Sequence, residues 1–216
     1  MTIKITRIVP RWLAALLGMA VLFAALANAA DDAPPIADPP AGALLIASAA
    51  LGDPRFHHSV VLLLRHDSKG AFGIVINNPL GERPLAGLLA DTDPKDPKDP
   101  TDSTVEGTIR VFFGGPVELQ RGFVIHGTDY RRPETLVVGD GLAMTASKEV
   151  LRDIGHHQGP AQYLFALGYA GWGAGQLEAE IARHDWFTAP ADPDLVFDAQ
   201  RGTLWDEALA RRTHEL

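Results

Sequence analysis

Several short stretches of this 216-residue chain bring together residue types that can do chemistry. Asp53, His57, His58 and Ser59 hold the three groups of a nucleophile, base and acid. A triad needs those groups joined by hydrogen bonds in space. The G-x-S-x-G elbow that would present a serine is absent. Ser59 therefore reads first as a polar group at a strand entry, and second as a hydrolase nucleophile. His57-His58 and His156-His157 offer imidazoles for metal hydrolysis. Neighbouring side chains on a strand point to opposite faces, so such pairs rarely share an ion. H-E-x-x-H does not occur. His156-His157 follows a helix end, where the dipole favours such side chains. No metal and no cofactor is expected.

The stretch "GYAGWGAGQLEAEI" begins at Gly168. Its first residues read as a strand ending near Tyr169-Ala170, and Gln176 opens a helix. Gly171, Gly173 and Gly175 between them permit positive φ and close backbone approach. A helix start with free N–H groups can hold an anion. The dinucleotide fingerprint fails because Gln176 stands where a glycine is required, and Gly-Lys-Ser/Thr is missing. A tight corner filled by the Trp172 ring is the favoured reading over a phosphate cradle.

The elements that must carry these residues follow from spacing. "ALLIAS" from Ala43 is a short strand, and "SVVLLLRH" from Ser59 a continuously apolar one. "DSKG" turns it back into "AFGIVINN", an antiparallel hairpin. "RPLAGLLA" suits a short helix. "TIRVFFGGPV" is a strand stopped at Gly114-Gly115-Pro116, and "GFVIHG" is the next. "MTASKEVLRDIG" is a helix capped by Thr145 or Ser147. "QYLFALGYA" is a strand, "GQLEAEIARHDW" a helix, "DLVFDA" a last strand. "TLWDEALARRTH" is a terminal helix with Thr203 and Asp206 as a capping box. About seven strands and three or four helices, with hairpins early, indicate an α+β domain with a mostly antiparallel sheet.

The ends and the charge bound the setting. Lys4, Arg7 and Arg11 precede the uncharged run "WLAALLGMAVLFAALANA", which closes on Ala27-Asn28-Ala29. Those are the three parts of a secretory signal peptide over residues 1–29. Export to the periplasm or medium is expected, with no permanent membrane insertion after cleavage. The competing reading is an uncleaved anchor over residues 12–29, although that run is short of the ~20 apolar residues a span needs. Residues 30–41, rich in Pro and Asp, read as a linker. The Asp-Pro tract over residues 91–102 reads as a solvated loop rather than a calcium site. There is no cysteine, which removes disulfides and thiolate chemistry. The formal net charge of -8 opposes DNA binding.

Four ordered stretches, "LGDPRFHHSVVLLLRHDSKGAFGIVINNPL", "VFFGGPVELQRGFVIHG", "MTASKEVL" and "GYAGWGAGQLEAEIARHDW", resemble the YqgE/AlgH family. The resemblance spans residues 42–216. It implies a single domain whose bulged, mostly antiparallel sheet partly wraps around helices. It implies no agreed catalytic residues; members are often labelled transcriptional regulators, a role that export would preclude. In such a fold the turns at Asn77, Pro79, Gly114 and Gly115 would gather with Gly171 and Trp172 around a concave surface. Gln176 could hydrogen-bond there and Glu178 could point into it. These eight residues are the candidate ligand groove. No nucleophile–base–acid set is complete, so a binding or regulatory module in the cell envelope is the leading expectation. Its partner would be a protein, a peptide or a small anion. A hydrolase using Ser59 or histidines is the alternative.

Overall fold

Strand β2 (Val60–Asp67) opens with five consecutive buried apolar residues. Such a run stays in one strand only when both faces are covered. The structure, a computed structural model, describes residues 38–91, 102, 104–198 and 200–213. The apolar start, its cleavage site, the linker up to residue 37 and residues 92–101 of the Asp-Pro tract lie outside the described residues.

β1 (Ala43–Ala47) pairs antiparallel with β2 on one side. β2 returns through Ser68-Lys69 into β3 (Gly70–Val75), with Asp67 opposite Gly70. β4 (Pro79–Pro84) and helix α1 (Leu85–Asp91) follow, then β5 (Thr108–Phe113) and the long β6 (Val117–Gly127). The hairpin of β7 (Leu136–Gly139) and β8 (Leu142–Thr145) leads to α2 (Lys148–Gly155). β9 (Tyr163–Gly173) precedes α3 (Gln176–Ala182), β10 (Trp186–Pro190), α4 (Pro193–Phe197) and α5 (Leu204–Ala210). The strand order is β10-β1-β2-β3-β9-β6-β8-β7, with β4 and β5 as a ribbon attached to β9. Among the described residues only the β5–β9 pairing is parallel.

The sheet curls. Gly42, just before β1, lies so close to β7 that a Cβ there would sit 2.6 Å from the Val138 carbonyl oxygen. The inner face sends Leu44, Leu62, Ile74, Phe123 and Ile125 into one cluster. Leu195 and Val196 of α4 and Leu204 and Ala208 of α5 enter the same cluster, so the sheet wraps around these helices. Val61 and Leu63, on the other face of β2, meet Leu177 and Ile181 of α3. Farther along, α1 and α2 cover Val111, Val124 and Phe165. This is the α+β fold with a mostly antiparallel, bulged sheet that the sequence suggested.

Several local expectations differ. Ten strands occur among the described residues, not seven. β4 carries no alternation to betray it, being exposed at every position. β7 and β8 have only four residues each. "DLVFDA" contains a helix: Asp192 accepts from the Leu195 N–H at 2.8 Å and Pro193 occupies the first turn. That cap signal outweighs a three-residue apolar run. The helix from Gln176 stops at Ala182, His184 turns at φ 60, and Trp186 begins a strand. Thr145 belongs to β8, and Ser147 donates to Glu134 instead of capping α2. Thr203 Oγ1 lies 2.7 Å from Glu207 Oε1, to which it donates, and 3.1 Å from Gln200 O, so the expected pairing with Asp206 is replaced.

Candidate functional site

The glycines at the ends of β5 and in β9 answer to a strand exchange. β9 pairs with β5 through Phe165, Ala166 and Leu167, and then with β3 from Ala170 to Gly173. At the handover the Gly114 N–H donates to Leu167 O at 2.7 Å, and the Val75 N–H donates to Gly114 O at 2.8 Å. The Phe113 N–H donates to Asn78 O at 2.8 Å. Three backbones thus meet without room for side chains. A Cβ on Gly114 would lie 2.3 Å from Gly168 O, and one on Gly115 2.1 Å from the Tyr169 carbonyl carbon. Asn77 braces the neighbouring strand start: Oδ1 accepts from Val60 N–H at 2.9 Å and Nδ2 donates to His58 O at 2.8 Å. Pro79 opens β4 and is exposed.

The second half of the candidate groove is a brace around one carboxylate. β9 extends through Gly173, and neither Gly171 nor Gly173 has positive φ; Gly168 and Gly175 do. Trp172 is 8% exposed and packs with Trp186 edge to face, ring centroids 5.8 Å apart. Both indole N–H groups donate to Glu180 Oε2 at 2.8 Å. Gln176 donates from Nε2 to Glu180 Oε1 at 2.9 Å, while its Oε1 accepts from the Gly173 N–H at 3.1 Å. A buried indole needs an acceptor, and Glu180 supplies one for two rings. The indole therefore fills a corner instead of walling a groove. Glu180 and Trp186 were missed by sequence reasoning, although Gln176 and Glu180 stand four apart on one helix face.

Glu178 points elsewhere. His66, whose side chain is 5% exposed, lies between Pro39 O at 2.9 Å from Nδ1 and Glu178 Oε1 at 3.0 Å from Nε2. A carbonyl and a carboxylate both accept, so both ring nitrogens donate and the imidazole is charged. Burial opposes that charge, but the Pro39 carbonyl and the Glu178 carboxylate outweigh it and raise the pKa above the usual histidine value. The Glu178 pKa is lowered, chiefly by its own backbone N–H and next by His66. A raised folded-state pKa adds stability that is complete below the unfolded value, about 6.5, and fades as pH rises through the folded value. His66→Gln is therefore expected to lose most stability at pH 5–6 and progressively less above about pH 7; paired urea melts across that range check it. An equal loss at every pH would mean the ring is neutral.

A third polar cluster joins β6, β8 and the approach to β7. The buried His126 donates from Nδ1 to Gly127 O at 2.7 Å, which leaves Nε2 to accept from Thr145 Oγ1 at 2.9 Å. Thr145 accepts in turn from Thr135 Oγ1 at 2.7 Å, and Thr135 from the Arg132 N–H at 2.8 Å. Burial holds the His126 pKa below the ordinary value, so the ring stays neutral. The geometry is that of a base and a hydroxyl, but His126 and Thr145 are both sealed from solvent. Beside them Tyr130 donates to Asp153 at 2.6 Å, and Arg132 pairs with the same carboxylate. The chain orders the loop between β6 and β7.

The first candidate triad does not assemble. Ser59 is 3% exposed. His57 stacks on His58 at 4.0 Å, and His58 on Trp205 at 4.3 Å. Asp53 pairs with Arg55 at 2.6 Å. His156 and His157 close α2, with His157 at φ 58. Among the described residues no group of three or more His, Asp or Glu is placed to hold a metal ion.

Fold and braces together define a class: a curled α+β domain whose glycines and tryptophans lock strand exchanges. The AlgH-like family model (DUF179) matches residues 44–216, and the chain belongs to that family. A UPF0301 protein of Ruegeria pomeroyi is 44% identical over 169 residues, covering 78% of this chain and 89% of the relative. One from a Jannaschia strain is 46% identical over 171 residues, covering 78% and 85%. The solution structure of the AlgH protein from Pseudomonas aeruginosa superposes with a TM-score of 0.64 at 39% identity, covering 79% of this chain and 87% of that one. A crystal structure of protein DIP2367 from Corynebacterium diphtheriae shares the fold, with a TM-score of 0.60 at 20% identity over 82% of this chain and 88% of that one.

Proposed function

We propose that this AlgH-like domain is a non-enzymatic binding module acting in the cell envelope, with a protein or peptide partner. The observation that carries it is β4, which among the described residues pairs with β5 alone and is exposed along all six residues. Leu80 on it is 60% exposed. Val117 and Leu119, at the start of β6, are also exposed. The Asn78–Phe113 hydrogen bond ties the roots of these two segments to one place. Apolar side chains left on a surface favour docking, and a one-sided strand can accept a partner's strand. Of the groove candidates, Pro79 belongs to this surface. The hydrolase alternative has less support, because Ser59 is buried and the neighbouring imidazoles are stacked.

The envelope part rests on Lys4, Arg7, Arg11, the apolar run and Ala27-Asn28-Ala29. The acidic net charge of -8 adds that DNA is not the partner. Intact-mass analysis of the protein from the native envelope is expected to give a chain starting at Ala30 or within a residue or two of it. A full-length chain in the cytosol would overturn the envelope reading. For the partner, a photo-reactive side chain at position 80 is expected to yield one discrete protein adduct in cells. Leu119→Asp should remove that adduct while leaving the melting temperature within about a degree or two, as for an exposed position. No adduct at position 80, or one indifferent to Leu119→Asp, would overturn the binding surface.

A further inference from the structure

Three aromatic rings meet at the rim of the inner core. Phe72 of β3 and Tyr169 of β9 have ring centroids 4.8 Å apart. Phe123 of β6 lies 5.6 Å from Phe72 and 6.1 Å from Tyr169. Phe123 is buried, whereas Phe72 and Tyr169 are only partly covered. The start of β6 overhangs this cluster. Val117 stands opposite Tyr169 and Gly122 opposite Leu167, so the four residues 118–121 stand opposite Gly168 alone. All four are exposed. An irregularity of this kind bends a strand and re-aims its side chains.

Here the re-aiming brings a carboxylate and a cation onto the rings. Glu118 Oε1 accepts from the Tyr169 hydroxyl at 3.4 Å, and Glu118 Oε2 accepts from Arg121 Nη1 at 3.2 Å. The Arg121 guanidinium lies over the Phe123 ring, 5.3 Å from its centroid. Glu118 reaches this place at φ 48. The other non-glycine residues with positive φ among the described ones, His58, His157 and His184, are of a type enriched in that region; glutamate is not. Such a backbone costs free energy, and it concentrates at ligand clamps. The Arg121–Glu118 pair returns little of that cost, because its side chains are 56% and 52% exposed. The arm thus holds a carboxylate beside partly open ring faces, with a loosely seated cation of its own between them. Carboxylate and ring faces both attract a cation.

We infer that Glu118 and the Phe72, Phe123 and Tyr169 rings form a receptor for a lysine or arginine side chain of the protein partner, and that Arg121 holds the place until that cation displaces it. The inference rests on the docking surface proposed above, since Leu119 lies on the same arm between Glu118 and Arg121 and Val117 stands beside Tyr169. Glu118 supplies the charge and the rings supply the apolar, electron-rich wall. The formal net charge of -8 favours approach of a basic partner.

The test is a titration of the protein with N-acetyl-arginine methylamide and N-acetyl-lysine methylamide, with the neutral citrulline analogue as control. Ionic strength is held constant with sodium chloride, and binding is read from the ring resonances of Phe72 and Tyr169 and from Arg121 Nε–H. Saturable shifts are expected with a cationic probe and none with citrulline. Arg121→Gln removes the internal competitor and should tighten binding about two- to fivefold, whereas Glu118→Gln should weaken it by a similar factor. Both positions are exposed, so both variants should keep the fold. No saturable shift in Arg121→Gln, equal binding of citrulline, or indifference to Glu118→Gln overturns the receptor. The photo-adduct at position 80 reports the docking surface separately. It should weaken in Glu118→Gln; an adduct that depends on Leu119 but not on Glu118 would leave the surface standing and remove the receptor.

Discussion

Trp172→Ala is expected to destabilise the domain by about 3–5 kcal/mol, the range for deleting a buried large aromatic. The ring is 8% exposed and sits with Ala71, Leu177, Ile181 and Trp186 in the cluster beneath α3. Its loss would leave a cavity between β9 and the helix. It would also take one of two indole donors from Glu180 Oε2. Trp172→Phe separates the two contributions. It keeps most of the apolar volume and removes only the hydrogen bond, so its cost should be about 1–2 kcal/mol. Urea melts of the two variants check this. A loss below about 1 kcal/mol for Trp172→Ala would show that the indole is not a core residue and would restore its place as a ligand wall.

Gly115→Ala should cost about 4 kcal/mol or more, which is rare for a single methyl group. Two penalties act together. Gly115 has φ +149, where a Cβ is strained. The added carbon would also lie 2.1 Å from the Tyr169 carbonyl carbon and 2.4 Å from the Ala170 nitrogen, and backbone cannot yield as a flexible side chain can. Gly175→Ala is the matched control. It has φ +73 but nothing within 4 Å of its Cβ, so only the conformational cost of about 1 kcal/mol applies. Chemical denaturation of both variants reads the difference. Equal, small losses would mean that the strands at this crossing can part to admit a side chain.

Much of the architecture was legible in the chain because it depends on local pattern. The apolar run from Ser59 and the turn DSKG indicated an antiparallel hairpin with a central first strand, and the structure contains that hairpin as β2 and β3. Helices α1, α2, α3 and α5 were visible in their apolar spacing and start signals. β4 was not, since a strand exposed at every position has no alternation to read. α4 was hidden because three apolar residues fit a strand as well as a helix turn, and only the Asp192 cap and Pro193 distinguish them.

For the candidate groove, residue types marked the positions, and the structure shows what each one packs against. The sequence by itself determined that glycines between β9 and α3 and at the end of β5 served the backbone and that Trp172 needed a corner. It assigned positive φ to Gly171 and Gly173, however, where the structure gives it to Gly168 and Gly115, with Gly175 as read. Family membership was legible as well, through four ordered motifs. What filled the space around each residue was decided by the tertiary structure. Gly114 and Gly115 meet β9 at a strand exchange some fifty residues away in sequence. Glu178 faces His66, and Arg201 faces Phe112, across separations that no local pattern records. Spacing along a chain reports which face a side chain takes; only the folding of the sheet upon itself selects what that face will touch.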